Sequence, residues 1–423
     1  MSAERQSNLP HRALITGMFD MRNFGDLMFP LIAQHRLSRI GIDVVPVSPT
    51  GLPTGLADAM HSIGIRDMLA GEPVARGILI GGGYIIHTHT MSFLERYRVE
   101  GVESFIGPGL WLGATLAAGI GNIPVIWNAP GVPHPLVQNQ RGLIEAALRA
   151  ADYVSLRDSG AVELLAAPDD VKVEIVPDTV VEIPHIWSRQ SLETPFKSLI
   201  ARKGGDSGAR YCALHFRDRS IANLGPDGAA ALIDRFAKAH RVVPILIAIG
   251  QAHDDDAVAR NIVRHLKSAH ILLDDPSGLI EIAAAIAQSS FYVGASLHGY
   301  IVAAAYGVPG VLVARPSYRK FQGFLDHTGR HEDLARDWHQ AFDKAAQAAK
   351  EGVSVRVPDS VFEKLDLHWN GIGEALSSPD QKSVQRQGFV RAWFQAGVAA
   401  GGPTWAHDPF VGRKAARYTT DEP

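Results

Sequence analysis

Residues 291–311 read FYVGASLHGYIVAAAYGVPGV. Phe291, Tyr292 and Val293 form a short apolar run with the aromatic and β-branched character of a buried strand, which Gly294 ends. Ser296, Leu297, His298 and Gly299 then open a helix of small residues, and Gly307-Val308-Pro309 stops it before a second apolar run at 310–313. Strand, helix and strand in so short a span make a βαβ unit, and its strands must run parallel. The alanines let the helix lie close on the sheet. The free N–H groups of its first turn, where His298 sits, form an anion site.

The same alternation extends outward in both directions. Strands are expected at 13–17, 44–47, 77–80, 125–127, 153–156 and 173–176, then at 211–216, 243–249, 270–273, 291–293 and 310–313. Helices fall between them at 26–40, 54–64, 107–119, 137–150 and 159–166 in the first half, and at 227–239, 254–267, 277–288 and 299–306 in the second. The rhythm lapses at 184–208, which ends in Gly204-Gly205-Asp206-Ser207-Gly208 and reads as a linker. Past 317 only amphipathic helices are expected, at 331–350, 359–377 and 382–397. The reading is therefore α/β: an N-terminal Rossmann-like domain (1–190, the acceptor side), a linker (191–208), a second Rossmann-like domain (209–330, the donor side), a helical extension (331–400) and a tail (401–423). Two parallel-sheet domains facing across a cleft place ligands at the carboxyl ends of their strands.

Composition narrows the function. The 423 residues carry 41 Lys+Arg against 44 Asp+Glu, a net charge of -3, and 8% aromatics, so neither a phosphate-tracking field nor a base-stacking surface is expected, and nucleic acid is excluded as a partner. Cys212 has no partner for a disulfide. The uncharged stretches 104–140 and 282–314 are interrupted by Pro, Asn, Gln and His, so they read as buried core and not as transmembrane segments. The polar start, MSAERQSNLPHR, carries no apolar export segment, and a cytoplasmic location is expected.

Candidate chemistry gathers at predicted strand ends. Asn23-Phe24-Gly25-Asp26 opens a helix, which Asn or Asp could cap, or Asp26 could face the cleft as a general base or an acceptor for a sugar hydroxyl. Gly81, Gly82 and Gly83 form either a tight turn or a close approach of backbone to ligand, and no Lys-Ser/Thr follows to make a nucleotide phosphate loop. At the junction Arg157-Asp158, Asp158 suits an N-cap and Arg157 a bidentate grip on carboxylate or phosphate. Asp178 either orients Arg157 or caps a turn. Arg217 and Lys320, each alone a solvated charge, join Arg157 and His298 in one cationic cleft. His87 and His89, and His253 before three aspartates, lack metal-ligand spacing, and no metal is expected. Gly-X-Ser-X-Gly is absent and Cys212 lies inside a strand, so neither a serine hydrolase nor a thiol nucleophile is supported.

The order and spacing of Asn23 to Asp26, Gly81 to Gly83, Arg157-Asp158, Pro177-Asp178, and Ser296-Leu297-His298-Gly299 with Gly307-Val308-Pro309 resemble the polysaccharide pyruvyl transferase family over about residues 12–326. The resemblance implies a GT-B-like pair of domains. It also implies transfer of a pyruvyl group from phosphoenolpyruvate, as co-substrate and without a cofactor, to sugar hydroxyls of a polysaccharide or a lipid-linked precursor, forming a ketal. Such a donor needs cations and a helix N-terminus, supplied here by Arg157, Arg217, Ser296, Leu297 and Lys320. His298 suits the acid and Asp26 the base, with Asn23, Gly25, Gly81, Gly82, Gly83 and Asp178 along the cleft. Many members carry Arg where this chain has Ser296, which shifts the charge requirement to Arg217 or Lys320. Two alternatives remain: a GT-B glycosyltransferase using a nucleotide sugar, and a non-catalytic glycan-binding relative. Peripheral membrane association and the oligomeric state stay open.

Overall fold

The computed structural model describes residues 10–136, 140–250, 254–351 and 355–408. The Val/Ile-rich runs pair into parallel strands because both faces of each are buried. In the first half β1 (Arg12–Thr16), β2 (Asp43–Ser48), β3 (Ile63–Gly64), β4 (Gly77–Ile80) and β5 (Val125–Trp127) form a sheet ordered β3-β2-β1-β4-β5. Leu14 faces Val45 on one side and Ile78 on the other. β6 (Ser155–Leu156) and β7 (Glu174–Ile175) add a parallel pair, joined to β5 by a bridge between Ile126 and Tyr153. The second half repeats the plan. β8 (Tyr211–His215), β9 (Val243–Ile247), β10 (Ile271–Leu273), β11 (Tyr292–Gly294), β12 (Gly310–Val313) and β13 (Leu334–Ala335) are ordered β10-β9-β8-β11-β12-β13.

Each sheet therefore reverses its strand order once, between β1 and β4 and between β8 and β11. A crevice opens at such a switch point, outside the carboxyl ends of the strands. The two crevices face each other. Phe24 N–H donates to the Ile249 carbonyl at 3.0 Å, Asn23 bridges Gly250, and the Asp58 carboxylate accepts from the N–H groups of Leu279 and Ile280, at 2.6 and 2.8 Å, at the start of the Leu279–Ala287 helix.

After β13 the chain adds the Trp338–Glu351 helix to the second domain and then returns to the first. The Asp359–Ser377 helix docks through His368, which contacts Asn128 at 2.8 Å and Tyr153 at 3.0 Å, and through Trp369, which donates to Glu182 at 2.8 Å. Burial holds His368 neutral, its pKa lowered to about 3. The Ser383–His407 helix lies on the Ala114–Gly121 and Arg141–Ala150 helices. No helix among the described residues is long and apolar enough to cross a membrane, and the uncharged stretches supply buried strands and helices such as β5 and β11.

Several expected elements differ. Residues 54–62 are not helical, since Gly55 turns at φ 76° and Asp58 caps a helix of the other domain. The expected linker contains the Glu193–Arg202 helix, which buries Leu199 and Ile200 against the second domain. The helix expected from 331 begins only at Trp338. Asp333, which accepts from Tyr300 at 2.6 Å and pairs with Arg330, fixes a 3-10 turn ahead of β13. The expected tail is helical as far as His407, with a break at Gly402; residues 409–423, 137–139 and His253 lie outside the described residues.

Candidate active site

Each switch point contributes two segments. From the first domain come the start of the Phe24–Leu37 helix after β1 and the glycines after β4. From the second come Arg217 after β8 and the start of the Leu297–Ala305 helix after β11. Arg157 and Asp178 follow β6 and β7.

His298 is where the two domains touch. A Cβ on Gly25 would stand 1.7 Å from its Nδ1, so only glycine leaves room for the ring, and Phe29 meets it edge-on at 5.6 Å between centroids. Its Nε2 lies 3.5 Å from Asp178 Oδ2, which is also 3.6 Å from Arg157 Nη1. Asp178 combines the two expected placements: its Oδ1 accepts from Val180 N–H at 3.1 Å while Oδ2 faces His298 and Arg157. Burial opposes its charge, but His298, Arg157 and Val180 N–H prevail and hold its pKa below the ordinary carboxylate value.

Asp26 is driven the other way. Burial raises its pKa, and His298, Lys320 and Arg157 offset this only in part. Asn23 stands at the N-cap position but makes no side-chain cap bond, and its Nδ2 donates to Asp26 Oδ2 at 2.6 Å. Gly83, at φ 83°, brings its backbone against the other oxygen, where a Cβ would lie 2.9 Å away. Two carboxyl groups whose pKa values are pushed apart around one imidazole are the arrangement that separates base from charge holder.

Lys320 lies between two aromatic rings, 5.2 Å from the Tyr84 centroid and 5.4 Å from that of Tyr318. Its pKa falls to about 7 because of burial first and then repulsion by Arg217 and Arg157, with Asp26 and Asp178 opposing. Arg157 stacks on Tyr84 at 4.3 Å. Arg217 stands 3.9 Å from Asp255 and lines a cavity of about 560 Å³ together with Arg219 and Arg315. Buried Arg157 Nε, His298 Nε2 and Arg217 Nε make no hydrogen bond within the protein, which suits an anion carrying several acceptor oxygens.

Other expected residues are placed elsewhere. Leu297 is core. Ser296 caps its own helix, accepting from Gly299 N–H at 3.3 Å, as Asp158 does for Ala161 at 2.7 Å. Gly81 is closed in by Ile15 and the Thr16 carbonyl, and Gly82 by Phe29, so their lack of a side chain serves packing and not ligand approach. The sequence reading passed over Tyr84 and Tyr318; an aromatic directly after three glycines was the available signal.

No group of three or more His, Cys, Asp or Glu among the described residues is arranged to hold a metal ion. No curated protein sequence matches the chain. Among solved structures, UDP-GlcNAc 2-epimerase from Neisseria meningitidis is 12% identical, with 91% of this chain and 99% of that chain covered at a TM-score of 0.46. The corresponding enzyme from Methanocaldococcus jannaschii is 13% identical, with 79% and 91% covered at 0.49. The α,α-trehalose-phosphate synthase (UDP-forming) from Burkholderia vietnamiensis is 12% identical, with 92% and 100% covered at 0.41. The polysaccharide pyruvyl transferase model matches residues 23–317, a span that runs from Asn23 through Gly83, Arg157, Asp178 and Arg217 to His298 and stops just short of Lys320. Matched over well more than half its length, the chain belongs to the polysaccharide pyruvyl transferase family.

Proposed function

We propose that the cleft binds phosphoenolpyruvate and transfers its pyruvyl group to two hydroxyls of a saccharide in the cytoplasm, releasing phosphate. The observation that carries this reading is the gathering of Arg157 and His298 on Asp178 with Lys320 and Arg217 beside them, drawn from both domains, with buried donor atoms left free. A small trianion presenting carboxylate and phosphate on one carbon needs that cation count in that space.

In this reading His298, oriented by Asp178, delivers a proton to the C3 methylene, and positive charge develops at C2. Asp26 takes the proton of the attacking acceptor hydroxyl. Two C2–O bonds to the acceptor form and the C2–O bond to phosphate breaks. Of the two hydroxyl protons, one replaces the proton that became part of the new methyl group and the other leaves with phosphate. Arg157 and Arg217 offset the leaving group's charge.

Incubation with phosphoenolpyruvate and a glycan panel is expected to release phosphate and add a ketal detected by mass spectrometry. Thermal-shift titration separates donors: saturating phosphoenolpyruvate, at 100 times its Kd, stabilises by about 2.7 kcal/mol. Stabilisation by UDP-, GDP- or CMP-sugars and none by phosphoenolpyruvate would overturn the proposal.

Lys320 gives this donor site a pH dependence. The amine is charged below about 7 and neutral above it, so the Kd for phosphoenolpyruvate is expected to rise several-fold between about pH 6 and about pH 8. Lys320→Met should bind weakly across that range with the step removed. An unchanged step in the variant would assign it to another group.

A further inference from the structure

Arg157, Arg217 and Lys320 bring like charges into one cleft, and their mutual repulsion disfavours the charged amine. Arg157 has Asp178 within 3.6 Å and Arg217 has Asp255 within 3.9 Å. Among the described residues no carboxylate comes as close to Lys320; Asp26 and Asp178 attract it only from further away. What the ammonium meets at short range is aromatic. Tyr318 and Phe321, 5.4 and 6.0 Å away, belong to the start of its own Arg319–Thr328 helix, whereas Tyr84, at 5.2 Å, follows β4 in the other domain.

Tyr84 is the ring that two cations share, since the Arg157 guanidinium also lies over it at 4.3 Å. Its seat is shaped for that contact. Gly83 turns at φ 83°, and its carbonyl accepts from Gly131 N–H at 2.8 Å, which sets the Tyr84 segment against residue 131. A Cβ on Gly131 would stand 2.6 Å from Tyr84 Cδ1 and 2.8 Å from Arg157 Nε and Nη2, so glycine is what leaves room for ring and guanidinium together. Stacking occupies the face of the guanidinium and not its edge, where buried Nε has no partner and can meet an anion.

We infer that Tyr84 is a positioning residue of the donor site: its ring face holds one cation from each domain and favours the charged form of Lys320. The negative face of an aromatic ring attracts a cation, most strongly where water is excluded. The charged groups facing the ammonium are Arg157 and Arg217, which repel it, and Asp26 and Asp178, which attract it, with His298 beside both carboxylates. On its own helix Arg319 reaches away to the Pro133 carbonyl. Burial and the two arginines bring the Lys320 midpoint down to about 7, where a modest attraction decides how much of the amine is charged. What the cations bind rests on the donor reading above, but the titration of Lys320 can be followed without a donor.

The test compares the full-length protein with Tyr84→Phe and Tyr84→trifluorophenylalanine. Ring fluorination withdraws electron density from the ring face and nearly preserves its size, so packing is kept while the attraction is lost. The Lys320 midpoint is read from the pH dependence of its acetylation by acetic anhydride, followed by mass spectrometry of the peptide. Tyr84→Phe, the conservative rescue, is expected to titrate like the parent protein, and the fluorinated variant about half a pH unit or more lower. The fluorinated variant should also bind phosphoenolpyruvate about twofold or more weakly at about pH 7, with Tyr84→Phe close to the parent. A Lys320 midpoint that fluorination does not lower would overturn the inference. So would parental phosphoenolpyruvate affinity in the fluorinated variant, or an equal loss in Tyr84→Phe, which would assign the effect to the hydroxyl. A lowered midpoint in a protein that does not respond to phosphoenolpyruvate even with Tyr84 intact would sink the donor reading and leave the hold of Tyr84 on Lys320 standing.

Discussion

His298→Ala is expected to lower kcat for phosphate release by about 10²–10⁴-fold, the range a general acid contributes. The affinity for phosphoenolpyruvate should fall far less, because Arg157, Arg217 and Lys320 remain. The ring is held from three sides, by Gly25, Phe29 and Asp178, and these contacts fix where its proton can go. His298→Gln fills much of the same space but cannot act as an acid, so it should be as slow as the alanine variant. Gly25→Ala reaches the same ring from the other domain, since a Cβ 1.7 Å from Nδ1 must displace it, and part of the same loss is expected there. Fold is checked by circular dichroism and melting. Near-normal turnover in folded His298→Ala would remove the imidazole from the chemistry.

How much of this was legible in the sequence depends on what each residue does. The long apolar runs that became β1, β4, β8, β11 and β12 were readable because burial on both faces leaves a continuous hydrophobic signature. β3 and β13 were not, since two residues carry no period; β13 follows a turn in which Asp333 is held by Tyr300 and Arg330. The Glu193–Arg202 helix hid inside an apparent linker because its few buried residues, Leu199 and Ile200 among them, give too little amphipathic pattern. In the cleft, His298, Arg157 and Asp178 stood out by lying at strand ends. Tyr84 did not, because an aromatic beside glycines looks like core until Arg157 is seen stacked on it. Asp26 and Asn23 were both readable as candidates, but cap and cleft use could not be told apart, since the same spacing serves both; Asn23 holds the N-cap position while its side chain bonds Asp26. Leu297, Gly81 and Gly82 neighbour cleft-facing residues in the sequence but are packed into the core.

Arg386→Ala is expected to destabilise the first domain by about 3–5 kcal/mol, the usual result of removing one partner from a buried ion pair. Arg386 is fully buried in the Ser383–His407 helix and grips both oxygens of Asp152, at 2.8 and 2.9 Å, while also donating to Asn122 at 3.3 Å and to the Pro379 carbonyl. Asp152 also accepts from Val125 N–H at 2.9 Å, so this contact ties the returning C-terminal helix to β5. Without the guanidinium, a buried carboxylate keeps a single backbone donor. The sign of the pH effect follows from burial, which already raises the Asp152 pKa, with Arg386 opposing. A carboxyl whose folded pKa lies above its unfolded value favours the folded state at low pH, and that benefit is lost as pH rises through the folded pKa. Removing Arg386 raises the folded pKa further, so the variant's deficit should be larger at about pH 8 than at about pH 5. Denaturant midpoints at the two pH values check this. The double variant Arg386→Met with Asp152→Leu should recover most of the loss, because a packed apolar pair carries no desolvated charge. A deficit that is independent of pH, with no recovery in the double variant, would mean that Arg386 stabilises through its stem packing and its bonds to Asn122 and Pro379, and not through the charge it shares with Asp152.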